Sequence, residues 1–340
     1  MVLTQRMQSR RPCCYWLLLA LLALPLWSAA WDALAQPASA AYPTKPIRLI
    51  VPFAPGGPND VVARLISPKL TEQLGQSVLI ENRGGAGGTI GMDMLAKLPA
   101  DGYAFAIGGS SNLAVAPSLY EKLGYDPVKD FAPITNCAAV PYVLAVNPTV
   151  PARNVKELIA LAARKPGYLS YGSSGTGSMS SLAAELFKHM SKTDIVHVPY
   201  KGTAPALSDV VSGQIEMMFA DLGVAQAHAK AGRLRLLGIS TSKRSRAAPQ
   251  LPTIAEAALP GYEVSPWFGL VGPAGIPHEI VAKINSIVVA SLKSQDMLQR
   301  LDTLGYDPIA DSPEHFASTI KSDIVKYQKI VQAAGIKIQN

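Results

Sequence analysis

The chain has 340 residues, with 31 lysines and arginines against 24 aspartates and glutamates for a net charge of +7, five histidines and three cysteines. The positive excess is mild and scattered, only Lys243, Arg244 and Arg246 being clustered, so a nucleic-acid footprint is excluded and the cluster reads as a solvated loop. Cys13 and Cys14 sit close to the N-terminus and Cys137 stands alone, so an internal disulfide framework is excluded downstream of them and Cys137 reads as a small buried side chain.

At the N-terminus Arg6, Arg10 and Arg11 precede an apolar run from Tyr15 to Leu26, and small residues then end in Ala33-Leu34-Ala35 before Gln36. This order predicts a cleaved secretory signal over residues 1–35. A membrane anchor is the alternative, but the run is short for a span of roughly 20 residues and contains Pro25. Ser9-Arg10-Arg11 hints at twin-arginine export, whereas Cys13 and Cys14 occupy places where that signal has apolar residues, so both routes stay open. Loss of the segment leaves 28 basic and 23 acidic side chains, a net of +5, on 305 residues. That length exceeds one usual compact core and predicts two lobes.

In chain order, the strand-like IRLIVPF runs into a glycine turn, PFAPGGPND from Pro52 to Asp60, and a helix from Asp60 that Pro68 should kink or divide. SVLIEN then leads into a second glycine turn, ENRGGAGGTIG from Glu81 to Gly91, with a helix from Thr89. YAFAIGG and YVLAVNP follow, then a helix over residues 155–163 with the stripe Val155, Leu158, Ile159 and Ala162. LSYGSSG precedes a helix over residues 178–190 with Leu182, Leu186 and Met190 on one face. IVHVPY, IEMMFAD, LRLLGIS and WFGLVGP continue the strands, and Phe316, Ile320, Tyr327 and Val331 form a last helical stripe. The alternation predicts an α/β fold of mainly parallel sheets with helices on both faces. YVLAVNP and WFGLVGP, each flanked by proline, are the expected crossings between lobes. They divide the chain into a first lobe of residues 42–143 plus 264–340 and a second of residues 144–263, joined by a two-strand hinge suited to closure around a ligand.

The two glycine turns carry the chemistry. Glycine lets backbone come close to a guest, and the first amides of a helix lack intrahelical partners, so paired turns of this kind form a receptor for an anion such as a small carboxylate. Other chemistries lack a signature. The second turn has Ile90 where a dinucleotide fingerprint has its last glycine, Ser180 breaks the same pattern after Gly175-Thr176-Gly177, and Asp194 precedes a strand where a ribose-binding acid would end one. His189, His197, His228, His278 and His315 never pair at metal spacing, and no serine stands in G-x-S-x-G. Neither cofactor nor metal is expected, and no enzymatic activity.

The stretches YPTKPIRLIVPFAPGGPND, VLIENRGGAGGTIG, LPADGY, YVLAVNP, YGSSGTGS, HVPYKGTAPAL, GQIEMMFAD, RLRLLGIS, LPTIAEAALPGYEV and WFGLVGPAGIP span nearly all of the chain beyond residue 35. In that order they resemble the Bug-type, or TctC-like, solute receptors of tripartite tricarboxylate transporters. The resemblance implies a monomeric periplasmic binding protein of two α/β lobes, type II-like. It would hold a small organic acid between the lobes and deliver it to the membrane permease subunits of such a transporter. A periplasmic sensor acting on a signalling receptor, or less readily an exported α/β hydrolase, would use the same pocket.

The resemblance also implies which residues hold the ligand. Phe53, Ala54, Pro55, Gly56 and Gly57 pass beneath it, and Asp60 shapes that loop, since a carboxylate facing an anion would repel it while an amino group on the ligand would reverse the preference. Gly85, Ala86, Gly87 and Gly88 face the first turn across the crevice, and Arg83 reads as a partner of Glu81 as readily as a counter-ion. The other lobe offers Ser173, Ser174, Gly175, Gly177 and Ser178, whose hydroxyls are rotatable donors that also serve as helix caps. Tyr200, Lys201 and Gly202 supply a further turn, the lysine reaching either ligand or solvent, and Asp221 ends the strand IEMMFAD. Phe53, Tyr200 and Trp267 are candidates for the pocket wall.

Overall fold

The computed structural model of the protein describes residues 42–333 and 335–336. The expected signal over residues 1–35, with Cys13 and Cys14, lies outside the described residues. The chain divides into a unit ending at Thr44 and a unit from Lys45, and all the strands and helices below belong to the second. No helix among the described residues is long and apolar enough to cross a membrane.

Strands β1 (Ile47–Val51), β2 (Val78–Asn82), β3 (Ala104–Gly109) and β4 (Phe131–Ala139) are laid down first. The chain then builds a second sheet from β5 (Tyr142–Val146), β6 (Ser170–Ser173), β7 (Val196–Pro199), β8 (Met217–Asp221) and β9 (Arg235–Ile239). It returns to the first sheet with β10 (Trp267–Pro273) and the short β11 (Asp307–Pro308). The orders are β11-β4-β10-β3-β1-β2 and β7-β6-β8-β5-β9. β3, β5, β8 and β10 are buried along their whole length, and therefore read in the sequence as unbroken apolar or small-residue runs.

Both sheets are mixed, where the sequence predicts mainly parallel ones. β1 pairs in parallel with β2 and β3, but β10 is antiparallel to β3 and β4. Likewise β6 is parallel to β7 and β8, while β5 is antiparallel to β8 and β9. In each sheet the reversed central strand is the first one reached after a crossing. The chain leaves one sheet at the carboxyl ends of its strands, so it meets the next sheet at the same level and must run away from it. β5 and β10 lie wholly inside one sheet each, and the crossings are the segments just ahead of them. There Val140 donates its N–H to the Pro266 carbonyl at 2.9 Å and Ser240 donates to the Tyr142 carbonyl at 2.8 Å, so the two connections run side by side.

Helix α1 (Pro58–Leu74) begins with proline in its first turn and ends at Gly75, whose φ of 67° closes it in the left-handed region. It continues through Pro68, because Ile66, Ser67, Leu70 and Leu74 are buried around the missing N–H and tertiary packing outweighs one lost helical bond. Beyond a glycine turn lies α2 (Thr89–Ala96), and after β3 a π-helical turn, Ser111–Val115, leads into α3 (Ala116–Leu119). The second sheet is flanked by α4 (Val155–Arg164), α5 (Met179–Ser191), α6 (Thr203–Ser212), α7 (Leu222–Lys230) and the single turn α8 (Ile254–Ala257). The chain closes on the first sheet with α9 (His278–Leu292), α10 (Gln295–Leu304) and α11 (Pro313–Ala333). The expected stripes bury Val155, Leu158 and Ala162 of α4, Leu182 and Leu186 of α5, and all four of Phe316, Ile320, Tyr327 and Val331, while Ile159 and Met190 at the stripe edges are only partly buried. Cys137 is buried in β4, and burial pushes its thiol up to about 12.

Candidate functional site

A narrow crevice of about 10 Å³ lies between the carboxyl ends of the two sheets, lined by Phe53, Gly57, Pro58, Asn59, Ser111, Tyr142, Ser174, Met179, Thr203 and Phe268. Four of its walls are places where a helix begins. Gly57, Pro58 and Asn59 open α1, Ser111 opens the π-helical turn, Met179 opens α5 and Thr203 opens α6. Gly57 and Gly202, the caps of α1 and α6, provide no side-chain acceptor for the first-turn amides. The positive ends of the helix dipoles therefore converge on one small space, an arrangement that stabilises an anion. Tyr142 and Phe268, at the starts of β5 and β10, supply walls beside the crossings. No lysine, arginine, histidine, aspartate or glutamate lines the crevice among the described residues.

The first turn is built by Asp60. Its carboxylate accepts from the Gly56 N–H at 3.0 Å, from Arg64 Nε at 2.8 Å and Nη2 at 3.1 Å, and from Asn82 Nδ2 at 3.1 Å. Burial opposes its charge, but these partners, Arg64 first, outweigh burial and hold the carboxyl below its ordinary range. Asn82 also donates to the Phe53 carbonyl at 3.0 Å, tying the turn to the neighbouring strand. Asp60 is thus a loop-shaping residue outside the lining, one residue beyond Asn59. Arg83 pairs with Glu81.

The second turn does not line the crevice, contrary to expectation. Gly85, Ala86, Gly87 and Gly88 all have positive φ, from 46° at Ala86 to 138° at Gly85, a conformation that glycine adopts freely and that curls the turn toward the opposite sheet. A methyl group on Gly87 would stand 2.8 Å from the Thr176 carbonyl oxygen, and one on Gly88 would strike Asn112 and the Phe53 ring. The turn therefore seals one side of the crevice against the Gly175–Ser178 loop. Tyr120 completes that seal by donating its hydroxyl to the Thr176 carbonyl at 3.0 Å.

In the opposite loop only Ser174 among the predicted serines borders the crevice. Ser173 is fully buried, its Oγ 2.7 Å from His197 Nε2 and accepting from the Gly175 N–H at 3.2 Å. His197 stacks on Tyr171 at 4.6 Å, which gives it a structural place. Ser178 caps α5 by accepting from the Ser181 N–H, and Ser174 and Ser178 both bond the Ser180 hydroxyl. Gly175 and Gly177 shape the loop at φ of 128° and 76°.

Tyr200, Lys201 and Asp221 likewise stand off the lining. Tyr200 donates its hydroxyl to Asp209 at 2.6 Å. The Lys201 side chain is exposed, and what it contributes is its carbonyl, which accepts from the Ala54 N–H of the first turn at 3.3 Å. Gly202 packs against Ala54, and Gly56 faces Ala204. Asp221 is fully buried, accepts from the Gly223 and Val224 N–H groups at the start of α7, and receives the Tyr306 hydroxyl, so it is a cap and a tie between the two sheets. Of the candidate wall residues, Phe53 lines the crevice. Trp267 points the other way along β10, bonding Asp323 at 2.6 Å, and Phe268 takes the place expected of it.

Asn59, Ser111, Tyr142, Met179, Thr203 and Phe268 were not legible as site residues. Pro58, Asn59, Met179 and Thr203 directly follow the glycine-rich and serine-rich turns, so helix starts were the usable signal. Ser111 follows β3 at its carboxyl end, the place where open α/β sheets present loops to ligands. Tyr142 and Phe268 have no such local mark.

The family model described as Tripartite tricarboxylate transporter family receptor matches residues 62–336. The chain belongs to this receptor family. Among its relatives, protein BugT of Bordetella pertussis (strain Tohama I) is 35% identical over 312 residues, covering 91% of this chain and 96% of its own. Rpa4515 of R. palustris, solved with adipate, has 40% identity and a TM-score of 0.85, covering 88% of this chain and 100% of its own. MatC (Rpa3494) from Rhodopseudomonas palustris, solved with bound malate, has 34% identity and a TM-score of 0.82, covering 85% and 100%. These two-lobed neighbours and the mixed α/β sheets place the protein among the two-lobed binding proteins, and its family is one of solute receptors.

Proposed function

We propose that the protein captures a small carboxylate between its two lobes in the periplasm, after export by a cleaved signal over residues 1–35, and delivers it as a monomer to the permease subunits of a tripartite tricarboxylate transporter. The reading rests chiefly on one observation: an uncharged crevice into which three α-helices and a π-helical turn begin. The adipate and malate of the two neighbours support the same ligand class. Phe53, Gly57 and Ser174, with Asn59, Ser111 and Thr203, contact the ligand; Asp60, Gly85 to Gly88, Gly175, Gly177 and Gly202 hold the loops that close over it. The lobes are residues 42–143 plus 264–340 and residues 144–263, and capture is reversible, without turnover.

Thermal-shift screening of dicarboxylates, tricarboxylates and aromatic acids tests this. At least one acid raises the melting temperature and is recovered unchanged. A folded sample indifferent to every acid, or one that converts the acid to product, overturns the reading.

A further inference from the structure

We infer that Asn112 is a ligand-holding residue, whose side-chain amide donates to the carboxylate of the captured acid. This rests on the carboxylate reading given above and adds a donor to it. Asn112 is the second residue of the π-helical turn, directly after Ser111 of the crevice wall, and it is fully buried. Irregular turns of this kind concentrate at functional sites.

The orientation of the side chain is fixed. Its Oδ1 accepts the Gly109 N–H at 3.0 Å, and exchanging the two amide atoms would set donor against donor. Its backbone carbonyl accepts the Tyr125 hydroxyl at 2.6 Å, which anchors the turn from another side. Nδ2 is left with no partner, the only side-chain amide nitrogen among the described residues to be both buried and unpaired. Such a donor is costly, and folded proteins keep few of them. By contrast, Asn59 Nδ2 already donates to the Ile107 carbonyl at 2.8 Å.

What covers the amide belongs to the two glycine turns. A methyl group on Gly88 would stand 2.7 Å from Nδ2 and 2.9 Å from the Phe53 ring, and that ring returns only the weak attraction of an aromatic face. A crevice of about 10 Å³ has room for about one water molecule, so an acid enters only as these turns part. Their movement uncovers Nδ2 beside Ser111. A carboxylate there accepts a charge-assisted hydrogen bond from a donor that gives up no other partner to form it.

Calorimetric titration of the purified protein with succinate, malate, adipate, citrate and benzoate, and of two variants with the tightest-binding of these, tests the assignment. Asn112→Asp keeps an acceptor for the Gly109 N–H but replaces the donor with an oxygen that repels a carboxylate, and should weaken binding by about 100-fold or more. Asn112→Ser buries no charge and is too short to bring a donor to the same point; it should weaken binding by about tenfold or more. A folded variant of either kind that binds within about threefold of the wild type overturns the inference and leaves the carboxylate reading standing, whereas a protein that binds none of the five acids overturns both. In the wild type, the side-chain amide proton resonances of Asn112 should move downfield as the acid saturates the site. Resonances that stay in place at saturation overturn the inference even where neither variant folds.

Discussion

Asp60 and Asp221 both lie at the start of a helix and both are almost wholly buried, yet their carboxyls shift in opposite directions. Asp60 sits beside the Arg64 guanidinium and accepts from Gly56 and Asn82, which together overcome burial. Asp221 has hydrogen bonds but no cation, and burial pushes it up to about 6. For Asp221 the folded state holds its proton more tightly than the unfolded chain, so its contribution to stability is complete below the ordinary carboxyl range near pH 4 and fades as pH rises through about 6. Denaturant unfolding at several pH values should show the wild type losing roughly 1 to 3 kcal/mol across that window relative to Asp221→Asn, which keeps an acceptor for Tyr306 and cannot titrate. A parallel pair of pH profiles would show that Asp221 does not titrate there. For Asp60 the sign is reversed, its contribution being present above the ordinary carboxyl range and lost in acid. Asp60→Ala leaves the Gly56 amide without its acceptor and Asn82 with only the Phe53 carbonyl, and should cost about 1 to 3 kcal/mol in chemical denaturation.

At the scale of elements, closure depends on backbone meeting backbone. Gly202 has a φ of 166°, extended backbone open to any residue, so alanine there strains nothing within its own lobe. Its methyl would stand 2.8 Å from the Ala54 Cβ across the crevice. Gly202→Ala should therefore weaken ligand binding by about tenfold or more by making the closed form scarcer, while ligand-free stability stays nearly unchanged. Ala54→Gly in the same chain should restore most of the affinity, measured by titration with the tightest acid found. Failure of that rescue would point to a lost backbone interaction and away from a steric one. Elements were legible where burial is continuous: β3, β5, β8 and β10 read as strands because both faces are covered. β4 was not, because its buried Thr135 and Asn136 look polar in sequence. Their partner is Asp311, which takes the Thr135 hydroxyl's neighbour, the Asn136 N–H, at 2.7 Å from 175 residues away.

For the whole molecule, ligand capture and stability are linked, since an acid held only by the folded, closed form stabilises it by mass action. At a free concentration of 100 times its Kd the gain is about 2.7 kcal/mol. Unfolding curves recorded over a concentration series should follow that dependence, and the radius of gyration from small-angle scattering should fall as the lobes close. An acid that binds by calorimetry and stabilises the fold yet leaves the radius of gyration unchanged would place its site outside the crevice. Ala54 N–H to Lys201 carbonyl and Tyr120 hydroxyl to Thr176 carbonyl already tie the two halves together, and closure of the proposed lobes would use these contacts.

By itself the sequence determined the α/β class, two lobes, the buried stripes and the use of glycine turns, because these follow from periodicity and backbone freedom within a few neighbouring residues. It also marked Phe53, Gly57 and Ser174. Only the tertiary structure decided that Gly85 to Gly88 seal the crevice, that Lys201 works through its carbonyl, that Asp221 ties β8 to Tyr306, and that Ser111, Tyr142 and Phe268 line the crevice. Each of those outcomes depends on which way a side chain or amide points once two separate sheets are brought together, and that direction is fixed by contacts between residues far apart in the chain.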